Sequence, residues 1–173
     1  PSPPPSPLLS RPGAAIARDA DAAIGGTSVA WHYGNPLGEQ RYPTMLIDRS
    51  DRQVVRVTGP EAPQFLNNLL SQKLDDAPDG FSAAALDLDP QGRVLHHADL
   101  LIHDGAFYLD APAPQAQSLH DYLTRMVFWS DVTIELTDLA VLTLLGDPID
   151  LPEDVLSRPV HWGGKPRIDV LVP

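Results

Sequence analysis

Three histidines and an aspartate, His96, His97, Asp99 and His103, form the densest set of groups in this sequence able to move protons or hold a metal. Imidazole with carboxylate suits divalent cations, and paired imidazoles suit general acid/base work. The spacing argues against both. The stretch reads as a strand, so Val94, His96, Ala98, Leu100 and Ile102 share one face and Leu95, His97, Asp99, Leu101 and His103 the other. His96 and His97 then point to opposite sides of a sheet. His103 lies four residues from Asp99, about 13 Å along a strand, too far to share one ion. The first face reads as core with one His, and the second as a partly covered face or a cleft wall. A fifth candidate, Arg52, opens a strand after Asp48-Arg49-Ser50-Asp51. That loop reads either as a turn in which Asp48 and Ser50 bond nearby backbone groups or as a mount presenting the Arg52 guanidinium to an anion. Trp31 and Tyr33 around His32 read either as a ligand wall or, in the blander sense, as aromatics pinning an irregular segment to a core.

The elements that must position these groups start with a β-branched strand at Val54 to Val57. Thr58-Gly59-Pro60-Glu61 has the pattern of a capping box, which predicts a helix over Glu61 to Lys73 with Phe65, Leu66, Leu69, Leu70 and Leu74 inward. A hairpin follows, Phe81 to Asp89 and Arg93 to His103, turned about Asp89-Pro90-Gln91-Gly92, where Pro90 fixes φ and Gly92 supplies a left-handed residue. Phe107 to Asp110 makes a further strand, and Tyr108 falls on the same alternation argument as Asp99. Gln115 to Val127 is a second amphipathic helix, and Val132 to Leu136 another strand. The order predicts an α+β fold: a ferredoxin-like βαββαβ unit with both helices on one face of an antiparallel sheet. Beyond Asp138 a second unit begins, with a strand at Ala140 to Leu145, a short helix near Pro152 to Leu156 and a strand at Arg167 to Val172. It has too few elements for a core of its own. The expected division is thus a Pro/Ala/Gly-rich disordered segment at 1–26, a first domain at 27–138 and an incomplete one at 139–173.

Composition narrows the function classes. Twelve Lys+Arg against 23 Asp+Glu give a formal charge of -11, which repels a phosphate backbone and disfavours nucleic acid as partner. With no cysteine the chain has no disulfide, thiolate nucleophile or iron–sulfur ligand of its own. Apolar runs such as Leu139 to Leu145 fall far short of the roughly 20 residues that span a bilayer, and prolines interrupt the N-terminus where a signal peptide needs a continuous apolar core. A cytoplasmic location is the expectation, with no membrane partner. No GxGxxG, P-loop, GxSxG or HExxH motif occurs, so the sequence alone offers no complete catalytic constellation.

Several segments in order resemble one family. They are Trp31-His32-Tyr33-Gly34-Asn35-Pro36 with Glu39-Gln40-Arg41, Ile47-Asp48-Arg49-Ser50 and Val57-Thr58-Gly59-Pro60. Phe65-Leu66-Asn67, Ser71-Gln72, Pro90-Gln91-Gly92-Arg93-Val94, Met126-Val127-Phe128-Trp129 and Leu144-Leu145-Gly146 follow. Together they resemble the folate-binding relatives of the glycine-cleavage aminomethyltransferase, and most of all the actinobacterial YgfZ-type proteins linked to iron–sulfur cluster maintenance. The resemblance implies a cloverleaf of two ferredoxin-like units and a small C-terminal barrel around bound tetrahydrofolate, here represented by an N-terminal portion. It also implies a folate-facing set. Arg52, His96 and His97 enter it by family position, Asp99 and Tyr108 by strand alternation, and Trp129 is expected to pack rather than stack on a pterin.

Two departures shape the expected function. The aminomethyltransferases carry an Asp-Asp pair where this chain has His96 and His97, and a mostly neutral imidazole does not replace an ionised carboxylate on a folate nitrogen. The YgfZ signature Lys-Gly-Cys-Tyr would fall beyond Pro173. The resemblance therefore implies a tetrahydrofolate-binding accessory protein without methyltransferase chemistry, not an enzyme in this form, with iron–sulfur proteins or their assembly factors as partners. Two alternatives stand beside it: an aminomethyltransferase served by a lipoyl carrier protein, and a non-enzymatic protein-interaction module.

Overall fold

The run Gln53-Val54-Val55-Arg56-Val57 opens the second of two folded units along the chain. The computed structural model describes residues 5–16, 29–147, 149–152, 154–160, 164 and 166–173. In chain order the elements begin with β1 (Ala15–Ile16), β2 (Ala30–His32), a short α1 (Pro36–Glu39), β3 (Met45–Asp48), β4 (Arg52–Thr58) and α2 (Ala62–Leu69). They continue with β5 (Ser82–Leu88), β6 (Val94–His103), β7 (Ala106–Pro112), α3 (Ala113–Met126), β8 (Thr133–Leu136), β9 (Ala140–Leu145), β10 (Leu156–Pro159) and β11 (Arg167–Val172). A single-turn 3-10 helix at Pro7–Ser10 precedes them. Among the described residues no helix is long and apolar enough to cross a membrane.

The chain divides into two units, Pro1–Arg52 with Leu139–Pro173, and Gln53–Asp138. This differs from the expected boundaries at 27–138 and 139–173, because the segment around β3 belongs with the C-terminal strands. In the second unit five strands lie in the order β5-β6-β7-β4-β8. The β5–β6, β6–β7 and β4–β8 pairs are antiparallel. The α+β class and the helix-covered antiparallel sheet are as the sequence predicts, with a three-strand meander between the two helices. Val55 and Val57 of β4, Leu100 and Ile102 of β6 and Phe107 and Leu109 of β7 meet Phe65, Leu66, Leu119 and Leu123 of the helices in one buried cluster. Both helices therefore lie on that face.

The local rules held at the hairpin and failed at the first helix. Asp89 Oδ1 accepts from the Gln91 and Arg93 amides, both at 2.9 Å, and Gly92 takes φ +79 as the turn requires. The predicted capping box does not form. Thr58 remains in strand β4 opposite Thr133, and Glu61 turns away to accept from the Asp131 amide instead of closing on its own helix. The helix also ends at Leu69 rather than Lys73. Beyond it, Asn67 Oδ1 accepts from the Leu74 amide, and Ser71 bonds Leu86 through both its amide and its hydroxyl. Outside the helix, Ser71 and Gln72 thus bond the outer edge of β5, at Leu86 and Ala84, which would otherwise expose unpaired backbone groups.

The first unit holds a four-stranded sheet in the order β10-β11-β9-β3, all pairs antiparallel. The expected helix near Pro152 to Leu156 is a turn, Val155 N to Pro152 O at 3.1 Å, followed by strand β10. A strand from before the second unit joins this sheet, since β3 is the edge partner of β9. At the N-terminus, within the segment 1–26 expected to be disordered, residues 5–16 have local structure. Ser6 is buried and accepts from the Leu8 amide, and β1 pairs with β2. Gly13 makes this fold-back feasible, since a Cβ there would stand 2.6 Å from the Tyr33 carbonyl oxygen. The remainder of that segment, residues 1–4 and 17–26, lies outside the described residues.

Candidate functional site

Alternation along β6 and β7 sorts the expected site residues into two groups. Asp99 stands opposite Asp110 and Leu101 opposite Tyr108, so His97, Asp99 and Tyr108 share the face of the second unit's sheet that the helices do not cover. His97 is exposed, Asp99 half-buried, and Tyr108 and Asp110 buried. On the same face Arg56 sits opposite Glu135 and bonds it at 3.0 Å, with its guanidinium 6.0 Å from the centre of the Tyr108 ring. Arg52 belongs to the first unit by the chain's division. Its amide donates to the Arg49 carbonyl, which closes the turn between β3 and β4. In that turn Asp48 Oδ1 accepts from the amide and the hydroxyl of Ser50, so the turn reading of the charged loop holds.

His96, grouped with these residues by the resemblance, does not share their face of the sheet. It lies among the core-facing residues of β6, beneath α3. Its Nδ1 is 2.8 Å from Asp87 Oδ2 on β5, and its Nε2 is 2.9 Å from Ser118 Oγ on α3. An ionised carboxylate only accepts, so Nδ1 carries the proton in the neutral ring and Nε2 accepts from the serine hydroxyl. The Tyr122 ring stacks on the imidazole at 5.8 Å and 25°. Partial burial, then the Asp87 charge and a hydrogen bond to Asp87, hold the Tyr122 hydroxyl above its ordinary pKa.

Sequence reasoning missed Asp87, Ser118 and Tyr122. Counting back from the turn, Leu88 faces Val94, which would set Asp87 opposite Leu95. The ladder shifts there, and Asp87 meets His96. Leu95 is the extra residue of a β-bulge, a device that re-aims side chains. Ser118 and Tyr122 do carry a signal, being four apart on one helix and so on one face.

The aromatic expectations need correction. Trp129 is 97% exposed and Phe128 is 75% exposed, so neither packs. Both lie just past the end of α3, with Phe128 at φ +43. Trp31 is also mostly exposed, at 58%, and does not pin its segment to a core. That segment holds itself: Glu39 Oε1 accepts from the Tyr33 and Asn35 amides, and Asn35 Oδ1 from the Gly38 amide.

The first unit contains a second polar cluster. Thr143, Asp169 and Arg158 form one cross-strand row over β9, β11 and β10. Asp169 accepts from Thr143 Oγ1 at 2.7 Å, from Arg158 Nη2 at 3.1 Å and from both Nε and Nη2 of Arg167 at 3.2 Å. Burial pushes its carboxyl up, but these bonds and the two guanidinium charges outweigh that and leave it below its ordinary value.

No family model matches the chain, and no curated protein matches it. A solved structure does: that of the glycine cleavage system aminomethyltransferase T from Bartonella henselae, at a TM-score of 0.80 and 20% identity. The alignment covers 96% of this chain and 52% of that one. The likeness is one of fold, and this chain spans about half the length of that protein.

Proposed function

We propose that this chain binds a reduced folate, tetrahydrofolate, as a cytoplasmic accessory protein of the YgfZ type serving iron–sulfur cluster assembly or repair, without aminomethyl transfer. The observation that carries the reading is the aminomethyltransferase-like fold over 96% of the chain. The donor chemistry of the helix-free sheet face fits a pterin. Asp99 offers a carboxylate to ring N–H groups, and exposed His97 offers a ring nitrogen. Arg52, in the other unit, contributes separately as a guanidinium for an anionic group. Transfer chemistry is left out because the two positions where the resemblance places acids hold imidazoles. One of these, His96, has both nitrogens engaged on the helix side. Its partners in this reading are iron–sulfur proteins or their assembly factors, while the charge of -11 disfavours nucleic acid.

The test is a titration of the full-length gene product with tetrahydrofolate, followed by tryptophan fluorescence. Saturable quenching is expected, together with no methylenetetrahydrofolate in a reconstituted glycine-cleavage assay. Absence of a saturable change overturns the folate reading, and product formation overturns the exclusion of transfer.

A further inference from the structure

Asp87, His96 and Ser118 come from three elements and meet in the order that a hydrolytic relay requires. The carboxylate holds the Nδ1 proton, and the hydroxyl donates to Nε2. The reverse order would place the serine against the wrong nitrogen. Exposure rises along the chain of bonds: the Asp87 side chain is 3% exposed, that of His96 13%, and Ser118 is open to solvent. A buried orienter, a half-buried base and a reachable nucleophile are what such a relay needs, because the carboxylate must stay fixed and the hydroxyl must meet substrate. Tyr122 fixes the ring plane by stacking on it. A histidine that served only to satisfy a buried carboxylate would not need its far nitrogen aligned with an exposed hydroxyl.

We propose that Ser118, activated by His96 and Asp87, is a nucleophile that hydrolyses small activated esters. Ser118 Oγ attacks the carbonyl carbon as its proton passes to His96 Nε2. The carbon–oxygen bond to the leaving group then breaks, and that oxygen takes the proton from His96. Water next attacks the acyl-serine, His96 accepts its proton and returns it to Ser118 Oγ, and the carboxylic acid leaves. Ester and water give acid and alcohol, with no change of oxidation state. The amides around Ser118 are committed to the ladder of α3, so its own helix supplies no oxyanion donor. The expected acceleration is therefore that of general-base activation, about 10²-fold.

The experiment is hydrolysis of p-nitrophenyl acetate by the full chain and by its Ser118→Ala, His96→Gln and Asp87→Asn variants, with peptide mapping of the trapped acetyl adduct. A fluorophosphonate probe gives an independent readout. The unaltered chain is expected to carry acetyl and phosphonyl groups on Ser118, and Ser118→Ala to lose the adduct and about 10²-fold in rate. Ser118→Ala alters an exposed position, and an unchanged melting curve separates lost chemistry from lost folding. Retained rate in Ser118→Ala overturns the proposal. So does labelling confined to Lys73 or to exposed imidazoles such as His97.

Discussion

Each unit has a buried aspartate at the centre of a side-chain network, Asp169 in the first and Asp87 in the second, and the two are handled differently. In the first unit Asp169 is answered within its own sheet by the neighbours that strand register places beside it, Thr143 and Arg158, and by Arg167 two residues back on its own strand. In the second unit Asp87 has one cross-strand partner, His96, and the bonds run on from it to a helix. The first network gathers two guanidinium groups and a hydroxyl around one carboxylate within a single sheet. The second runs through an imidazole and ends at a solvent-facing hydroxyl. A network gathered within one sheet suits stability, whereas one that ends at solvent leaves a polar end available for chemistry.

The largest effect should come from opening the first network. Asp169→Ala would leave the Arg158 and Arg167 guanidinium groups side by side without the carboxylate between them, and Arg158 is only 3% exposed. Loss of a buried partner of this kind costs about 3–5 kcal/mol. Urea unfolding should show it, with hydrogen exchange accelerating in β9 and β11 first. His96→Ala should cost less, about 1–3 kcal/mol, since the desolvated Asp87 carboxylate loses its imidazole but keeps Tyr122. Equal costs for the two variants would break the contrast between the networks.

Acid provides a milder version of the same test. The Asp169 pKa is lower in the folded state than its ordinary value of 3.8, so its contribution is fully present above that value. It is lost as pH falls through the folded pKa, because protonation then favours the unfolded chain. Melting of the first unit should accordingly hold steady down to about pH 4 and decline below it, and Asp169→Asn should flatten that decline. Smaller still are the hydroxyl deletions. Thr143→Ala, at a buried hydroxyl, should cost about 1 kcal/mol, and Ser118→Ala, at an exposed one, less than about 0.5 kcal/mol.

The same contrast explains how much was legible in the sequence. The hairpin turn is written in Asp89-Pro90-Gln91-Gly92, and the apolar spacing of Phe65, Leu66, Leu119 and Leu123 identifies both helices as core helices. Each of those signals is local. Alternation along the strand already set His96 on the core face, but the bulge at Leu95 has no sequence signature, so its pairing with Asp87 was out of reach. The first network was hidden for another reason. Pairing of β3 with β9 joins residues roughly a hundred positions apart, and Pro152 to Leu156 carries a helix-start pattern that pairing of β10 with β11 overrides. Thr58-Gly59-Pro60-Glu61 failed as a cap because strand pairing holds Thr58 and the Asp131 amide claims Glu61.

The smallest stability change is expected where the binding change is largest. His97 is the immediate neighbour of His96, yet it projects from the opposite face and is exposed, so His97→Ala removes neither a buried contact nor a partner of Asp87. Its melting temperature should stay within a degree or two of the original, consistent with a surface change of under about 0.5 kcal/mol. If the helix-free face holds the pterin, folate binding should weaken by roughly tenfold, the equivalent of one lost hydrogen bond to a ring nitrogen. His96→Ala should show the reverse pattern, a lower melting temperature with folate affinity retained in the fraction that remains folded. A common loss of affinity in both variants would place the ligand on the helix side. Calorimetric titration of both variants at one temperature below their melting transitions separates the outcomes, because one residue of offset along a strand is enough to move a side chain from one face of the sheet to the other.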